Sequence, residues 1–149
     1  MLSLVDILYA LVREIKRVIP ESKHYMMKLP ESFKAPCFAY YIVFNGEKRS
    51  SAFVKDCNLD LQIIYFGEND KYGNSNFEDK LRTLESLKKF LSLFYIKVKD
   101  RYLTFEYNFK EVDDQLSVDL SFKFKDNIVE ILQEDLDLIQ EINFNKEVI

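Results

Sequence analysis

Residues 103–125 read LTFEYNFKEVDDQLSVDLSFKFK. Leu103, Phe105, Tyr107 and Phe109 alternate with Thr104, Glu106, Asn108 and Lys110. Beyond Asp113-Asp114, Leu116, Val118, Leu120, Phe122 and Phe124 alternate with Ser117, Asp119, Ser121, Lys123 and Lys125. A period of two sets each apolar series on one strand face, and paired aspartates tolerate the backbone of a tight turn. Residues 94–98 form a further strand and Lys99-Asp100 a turn, so 94–125 reads as an antiparallel meander.

Working outward, residues 57–65 (CNLDLQIIY) alternate cleanly, with Cys57, Leu59, Leu61, Ile63 and Tyr65 inward. Residues 37–44 (CFAYYIVF) are apolar on both faces. Phe38, Tyr40, Ile42 and Phe44 point one way and Cys37, Ala39, Tyr41 and Val43 the other. Such a strand is covered on both sides, by its own helices or by a neighbouring subunit. Asn45-Gly46 then marks a turn, and residues 24–29 form a short preceding strand.

Two amphipathic helices complete the domain. Leu4, Ile7, Leu8, Leu11, Ile15 and Val18 make one stripe over 3–19, with Ser3 as N-cap and Pro20 as stop. Ser75 and Glu78 form a capping box for a second helix with the stripe Phe77, Leu81, Leu84, Leu87 and Leu91. Its charged residues, Lys80 among them, fall on the solvated surface. The order α-β-β-β-α-β-β-β predicts an α+β fold, two helices packed on one face of an antiparallel or mixed sheet.

With 149 residues, 48% hydrophobic and 31% charged, the chain suits one globular domain with a core of ordinary size. Charge divides it. Residues 126–149 hold seven acids (Asp126, Glu130, Glu134, Asp135, Asp137, Glu141 and Glu147) and one base, Lys146, a net of −6. The other 125 residues hold 18 acids and 20 bases, a net of +2. Residues 1–125 therefore form the domain and 126–149 an acidic C-terminal arm, whose pattern permits either a helix or an extended segment. The acidic balance argues against a protein that lives by neutralising phosphates, and no apolar run is long enough to span a bilayer. The N-terminal twenty residues read as an amphipathic helix and not as a signal peptide.

No segment signals catalysis. The single histidine, His24, lies in a strand context without a marked nucleophile, and reads as structural. Gly46, Gly67 and Gly73 form no dinucleotide or phosphate-loop pattern. Cys37 and Cys57 read as buried thiols, and the oxygen-rich stretch 68–76 lacks a calcium-loop pattern. Asp113-Asp114 reads as a hydrated turn former. Neither a metal nor a cofactor is implied, and the chain does not read as an enzyme.

The stretch 29–43, LPESFKAPCFAYYIV, resembles a segment of the small tail terminator proteins of phages and phage-tail-like particles (bacteriocins) of Gram-positive bacteria. Leu29 and Pro30, then Pro36, Cys37 and Phe38, carry the likeness, and Asp60, Gln62, Ile63, Tyr65 and Phe66 are similar to that family's next block. The final residues, LIQEINFNKEVI, resemble the terminal extension of such proteins and favour an extended arm. The resemblance implies a structural protein of virion assembly. It would form a ring, usually of six subunits, at the end of a tail tube and stop polymerisation. Partners would be further copies, the tube protein and, in contractile systems, the sheath; assembly would take place in the bacterial cytoplasm.

On that reading subunits meet at Phe38, Tyr40, Tyr41, Val43 and Phe44, since interface cores are enriched in aromatics. Asp135, Asp137, Ile139, Ile142 and Phe144 belong to the partner-contacting arm. The alternatives are a head-completion, neck or tail-assembly protein, or a monomeric cytoplasmic ligand-binding domain whose aromatics line a pocket.

Overall fold

A computed structural model describes residues 2–69 and 76–128. Its elements are α1 (Leu4–Val18), β1 (Lys23–Met26), β2 (Cys37–Arg49), β3 (Val54–Phe66), α2 (Phe77–Leu91), β4 (Tyr95–Val98), β5 (Arg101–Val112) and β6 (Gln115–Asn127). The strands form one curled mixed sheet in the order β1-β2-β3-β6-β5-β4. β1 is parallel to β2 and every other pair is antiparallel. The architecture is α+β, in the expected element order.

The meander follows from the alternation that predicts it. Leu103, Phe105, Leu116, Val118, Leu120 and Phe122 are buried, and with Leu59, Leu61, Ile63 and Tyr65 they face the helices. Asp113 and Asp114 both take left-handed φ values, 50° and 65°, which suits the two central residues of a tight hairpin. Lys99 does the same at the β4–β5 turn, with φ 55°.

α1 starts at a reciprocal capping box. The Asp6 N–H donates to Ser3 Oγ at 3.2 Å, and the Ser3 N–H donates to Asp6 Oδ2 at 3.0 Å. It ends just before Pro20, and buries Ile7, Ala10, Leu11 and Ile15 against the sheet. Each such large aliphatic side chain contributes about 1.5–3 kcal/mol by leaving water.

α2 departs from expectation. Its N-cap is Asn76, whose side chain accepts from the Asp79 N–H, and not Ser75, which lies outside the described residues. The buried face carries Lys80, Thr83, Leu87, Phe90 and Leu91, whereas Phe77 and Leu81 are 67% and 46% exposed. Leu84, Leu87 and Leu91 thus face the core as expected, and only the first turns present Lys80 and Thr83 in place of Phe77 and Leu81. Lys80 tolerates burial because Nζ reaches the exposed carboxylates of Glu111 at 3.4 Å and Asp114 at 3.3 Å.

Asn45-Gly46 is not a turn. Both residues lie within β2, paired with Leu59 and Asn58, and the chain reverses only at 50–53. β6 likewise continues through Asn127, two residues into the stretch assigned to the arm. The rest of that arm from residue 129, and residues 70–75 of the oxygen-rich stretch 68–76, lie outside the described residues.

Candidate functional site

β2 divides into two halves. Phe38 and Tyr40 are 0% and 1% exposed and sit in the protomer's own core, Phe38 with its ring centroid 5.0 Å from that of Tyr65. Cys37 and Ala39, on the helix-free face, are buried as well. The 27–36 segment folds back at this end, its Phe33 ring 5.4 Å from that of Phe66, the register partner of Cys37. Beyond them the cover ends. Tyr41 is half-buried, and Val43 and Phe44 are 64% and 50% exposed.

A bulge explains the change. The β2–β3 register slips between Ile42 and Phe44, so Ile42 pairs with core-facing Leu61 but Phe44 pairs with Asp60. One extra residue turns Phe44 onto the helix-free face, opposite to the strict alternation expected for it. There its ring lies over Gly46, where a Cβ would come within 2.7 Å of Cζ. A side chain at position 46 would therefore require the Phe44 ring to move aside.

A second exposed apolar surface lies at the other side of the sheet. Phe94, Tyr95 and Tyr102 are exposed there, with the Tyr95 and Tyr102 rings edge-to-face at 5.6 Å. The alternating series name inward positions only and leave these three out. The available signal was their parity, since Tyr95 and Tyr102 immediately precede inward Ile96 and Leu103. The helix-free face between the two surfaces holds a groove of about 510 Å³ lined by Asp60, Gln62, Glu106, Asn108, Lys110 and Asp119, among others. Polar and apolar residues share its lining, and Phe38, Tyr40 and Phe122 are enclosed in the core away from it. The proposed arm residues Asp135, Asp137, Ile139, Ile142 and Phe144 lie outside the described residues.

His24 is held by the fold. Its ring stacks on Phe38 at 5.6 Å, Nε2 lies 2.9 Å from Ser22 Oγ, and Nδ1 lies 2.7 Å from the Tyr40 hydroxyl. Ser22 already donates its hydroxyl proton to the Ile19 carbonyl, so it accepts from Nε2–H, and Nδ1 accepts from Tyr40. The neutral imidazole is fully satisfied. Burial, with the Lys16 charge adding to it, lowers its pKa from 6.5 to about 4, and burial raises the Tyr40 hydroxyl well above the usual range.

A pH dependence follows. Between these two values the unfolded chain binds a proton that the folded chain does not. Stability contributed by His24 is complete above about pH 6.5 and falls as pH drops toward about 4. Solvent reaching the half-exposed ring reduces the size of the effect. Thermal unfolding of wild type and His24→Gln across this window should show a flatter pH slope in the variant. Equal slopes would remove His24 as the cause.

Among the described residues no cluster of three or more His, Cys, Asp or Glu could hold a metal ion. No helix among them is long and apolar enough to cross a membrane. In comparisons with known proteins, no curated protein matches the chain. A family model described as phage tail terminator protein matches residues 6–135.

Proposed function

The chain belongs to the phage tail terminator family, a family of structural tail proteins that act with other tail proteins in the virion, and from that premise we propose that it works as a ring. Six copies close the end of the tail tube, stop its polymerisation and leave a surface for the next component. In a headless, bacteriocin-like particle the same ring caps the tail. In a contractile one it also meets the last sheath ring. Assembly takes place in the bacterial cytoplasm, and the acidic segment beyond residue 128 serves as the partner-contacting arm.

The observation that carries this reading is the pair of unlike apolar surfaces on opposite sides of the sheet. Val43 and Phe44 lie on one side, and Phe94, Tyr95 and Tyr102 on the other. A cyclic assembly needs two different, mutually complementary flanks, because each subunit contacts its two neighbours through different patches. Of the residues expected at the subunit contact, Tyr41, Val43 and Phe44 have surface to offer, whereas Phe38 and Tyr40 are enclosed.

Phe44→Lys tests the reading. Half the ring is already in water, so the fold should keep its melting temperature within a few degrees, as surface substitutions usually do. A buried ammonium at a subunit junction is costly, so the ring should be lost. Light scattering should report the ring mass for wild type and a monomer for the variant. Wild type that stays monomeric in solution and is absent from tail ends in particle images would overturn the ring.

A further inference from the structure

Two long strands each leave part of one edge unpaired among the described residues. β1 flanks β2 only at Cys37–Tyr40, with one further bond from the Met27 N–H to the Tyr40 carbonyl. From Tyr41 to Arg49 that edge of β2 has no strand beside it. β4 flanks β5 only at Arg101–Thr104, followed by the Phe105 N–H bond to the Phe94 carbonyl. From Glu106 to Val112 the outer edge of β5 is open in the same way. Long open edges are templates for pairing with another chain, and most proteins keep them short or covered.

We propose that these two edges pair with each other, β2 of one copy beside β5 of the next, so that the sheet continues from subunit to subunit. This deepens the ring reading and rests on it.

Direction, face and register all permit the junction. β2, β3, β6 and β5 are neighbours and successively antiparallel, so β5 runs opposite to β2. Copies related by rotation about an axis roughly along the strands keep those directions, and the junction is antiparallel with the helices on one side throughout. Within a protomer the ladder Phe44–Asp60–Ser121–Glu106 sets Phe44 level with Glu106. The open part of β2 is centred above that level and the open part of β5 lies below it. Pairing the two open parts staggers the copies by about four residues, the offset that brings each open part onto the other with matching faces.

That register sets Lys48 opposite Glu106, Gly46 opposite Asn108 and Phe44 opposite Lys110, all on the helix-free face. Opposite charges directly across a ladder stabilise it, and like charges destabilise it. The stagger also has the right size. Four residues at about 3.3 Å each, over four strands about 4.8 Å apart, correspond to a strand tilt of about 35°. Closed sheets require a tilt of about 35–45°.

The test is a cross-link in the purified full-length chain. Within one protomer residues 48 and 106 are separated by β3 and β6, about 14 Å by strand spacing and beyond disulfide reach. Any disulfide in Lys48→Cys/Glu106→Cys therefore joins two copies. The native Cys37 and Cys57 are buried. Mild oxidation should give a ladder of covalent multimers from the double variant and none from either single variant. Lys48→Glu should lose the ring mass in light scattering, and Lys48→Glu/Glu106→Lys should restore it. Rings that neither cross-link through this pair nor respond to charge reversal would keep the ring and overturn the edge pairing. A chain that is monomeric at every concentration would overturn both.

Discussion

Phe38→Ala should lower the unfolding free energy by about 3–5 kcal/mol, the cost of emptying a closed aromatic site. The ring has no exposed surface. It packs against Tyr65 at 5.0 Å and forms the platform on which His24 stacks at 5.6 Å with only 13° between the planes. Its removal leaves a void beside Tyr65 and loosens His24, which in turn holds the Tyr40 hydroxyl. The loss belongs to the protomer. Urea unfolding followed at dilutions where the wild type is monomeric should show the full effect, unchanged with protein concentration. Phe44→Lys should behave in the opposite manner, with normal protomer stability and lost assembly. A Phe38→Ala effect below about 1 kcal/mol in the monomer, appearing only in the assembled state, would place that ring at the subunit contact after all.

The contrast between Phe38 and Phe44 shows what a linear pattern can carry. Alternation read the meander correctly because each of Leu116, Val118, Leu120 and Phe122 faces the core while the residues between them face the other way. The same rule applied to residues 37–44 treated the strand as regular. A bulge adds one residue without any composition signature, and it reversed the face of the strand from Phe44 onward. Asn45-Gly46 failed for a related reason. The dipeptide tolerates a turn, but the Phe44 ring lying on Gly46 gives the glycine a packing purpose inside a strand. In α2 the apolar count pointed to Phe77 and Leu81, yet the helix buries Lys80 and Thr83, because Glu111 and Asp114 from the β5–β6 hairpin receive the lysine ammonium. Those partners are more than thirty positions away. The open edges of β2 and β5 were invisible for the same reason. Whether a strand edge is covered depends on how far a partner of only four residues reaches along it, which no residue of the long strand records.

Asp126→Ala should cost about 3 kcal/mol, at the low end of what breaking a buried ion pair costs. Asp126 is buried at the end of β6, where Oδ2 accepts the Leu2 N–H at 2.8 Å and Oδ1 accepts Arg101 Nη1 at 3.1 Å and the Asn127 N–H at 2.9 Å. One carboxylate thus fastens the segment ahead of α1 and the start of β5 to the last strand. Burial alone would raise its pKa. The Leu2 and Asn127 N–H groups, helped by the Arg101 guanidinium, outweigh that and hold it below the usual carboxylate value. Its contribution is therefore present above the ordinary carboxylate range and lost as pH falls through the lowered value. In the alanine variant the Leu2 N–H loses its acceptor and Arg101 keeps a bond only to the Lys125 carbonyl. The side chain of Arg101 is 35% exposed, and water rescues part of its loss, which is why the effect stays near the low end. Asp126→Asn retains one carbonyl oxygen and should recover part of the stability at neutral pH. A double-mutant cycle with Arg101→Met separates the ion pair from the backbone contacts. Coupling near zero, with a large Asp126→Ala effect, would assign the fastening to the Leu2 and Asn127 N–H groups alone; a negligible Asp126→Ala effect would remove the fastening altogether.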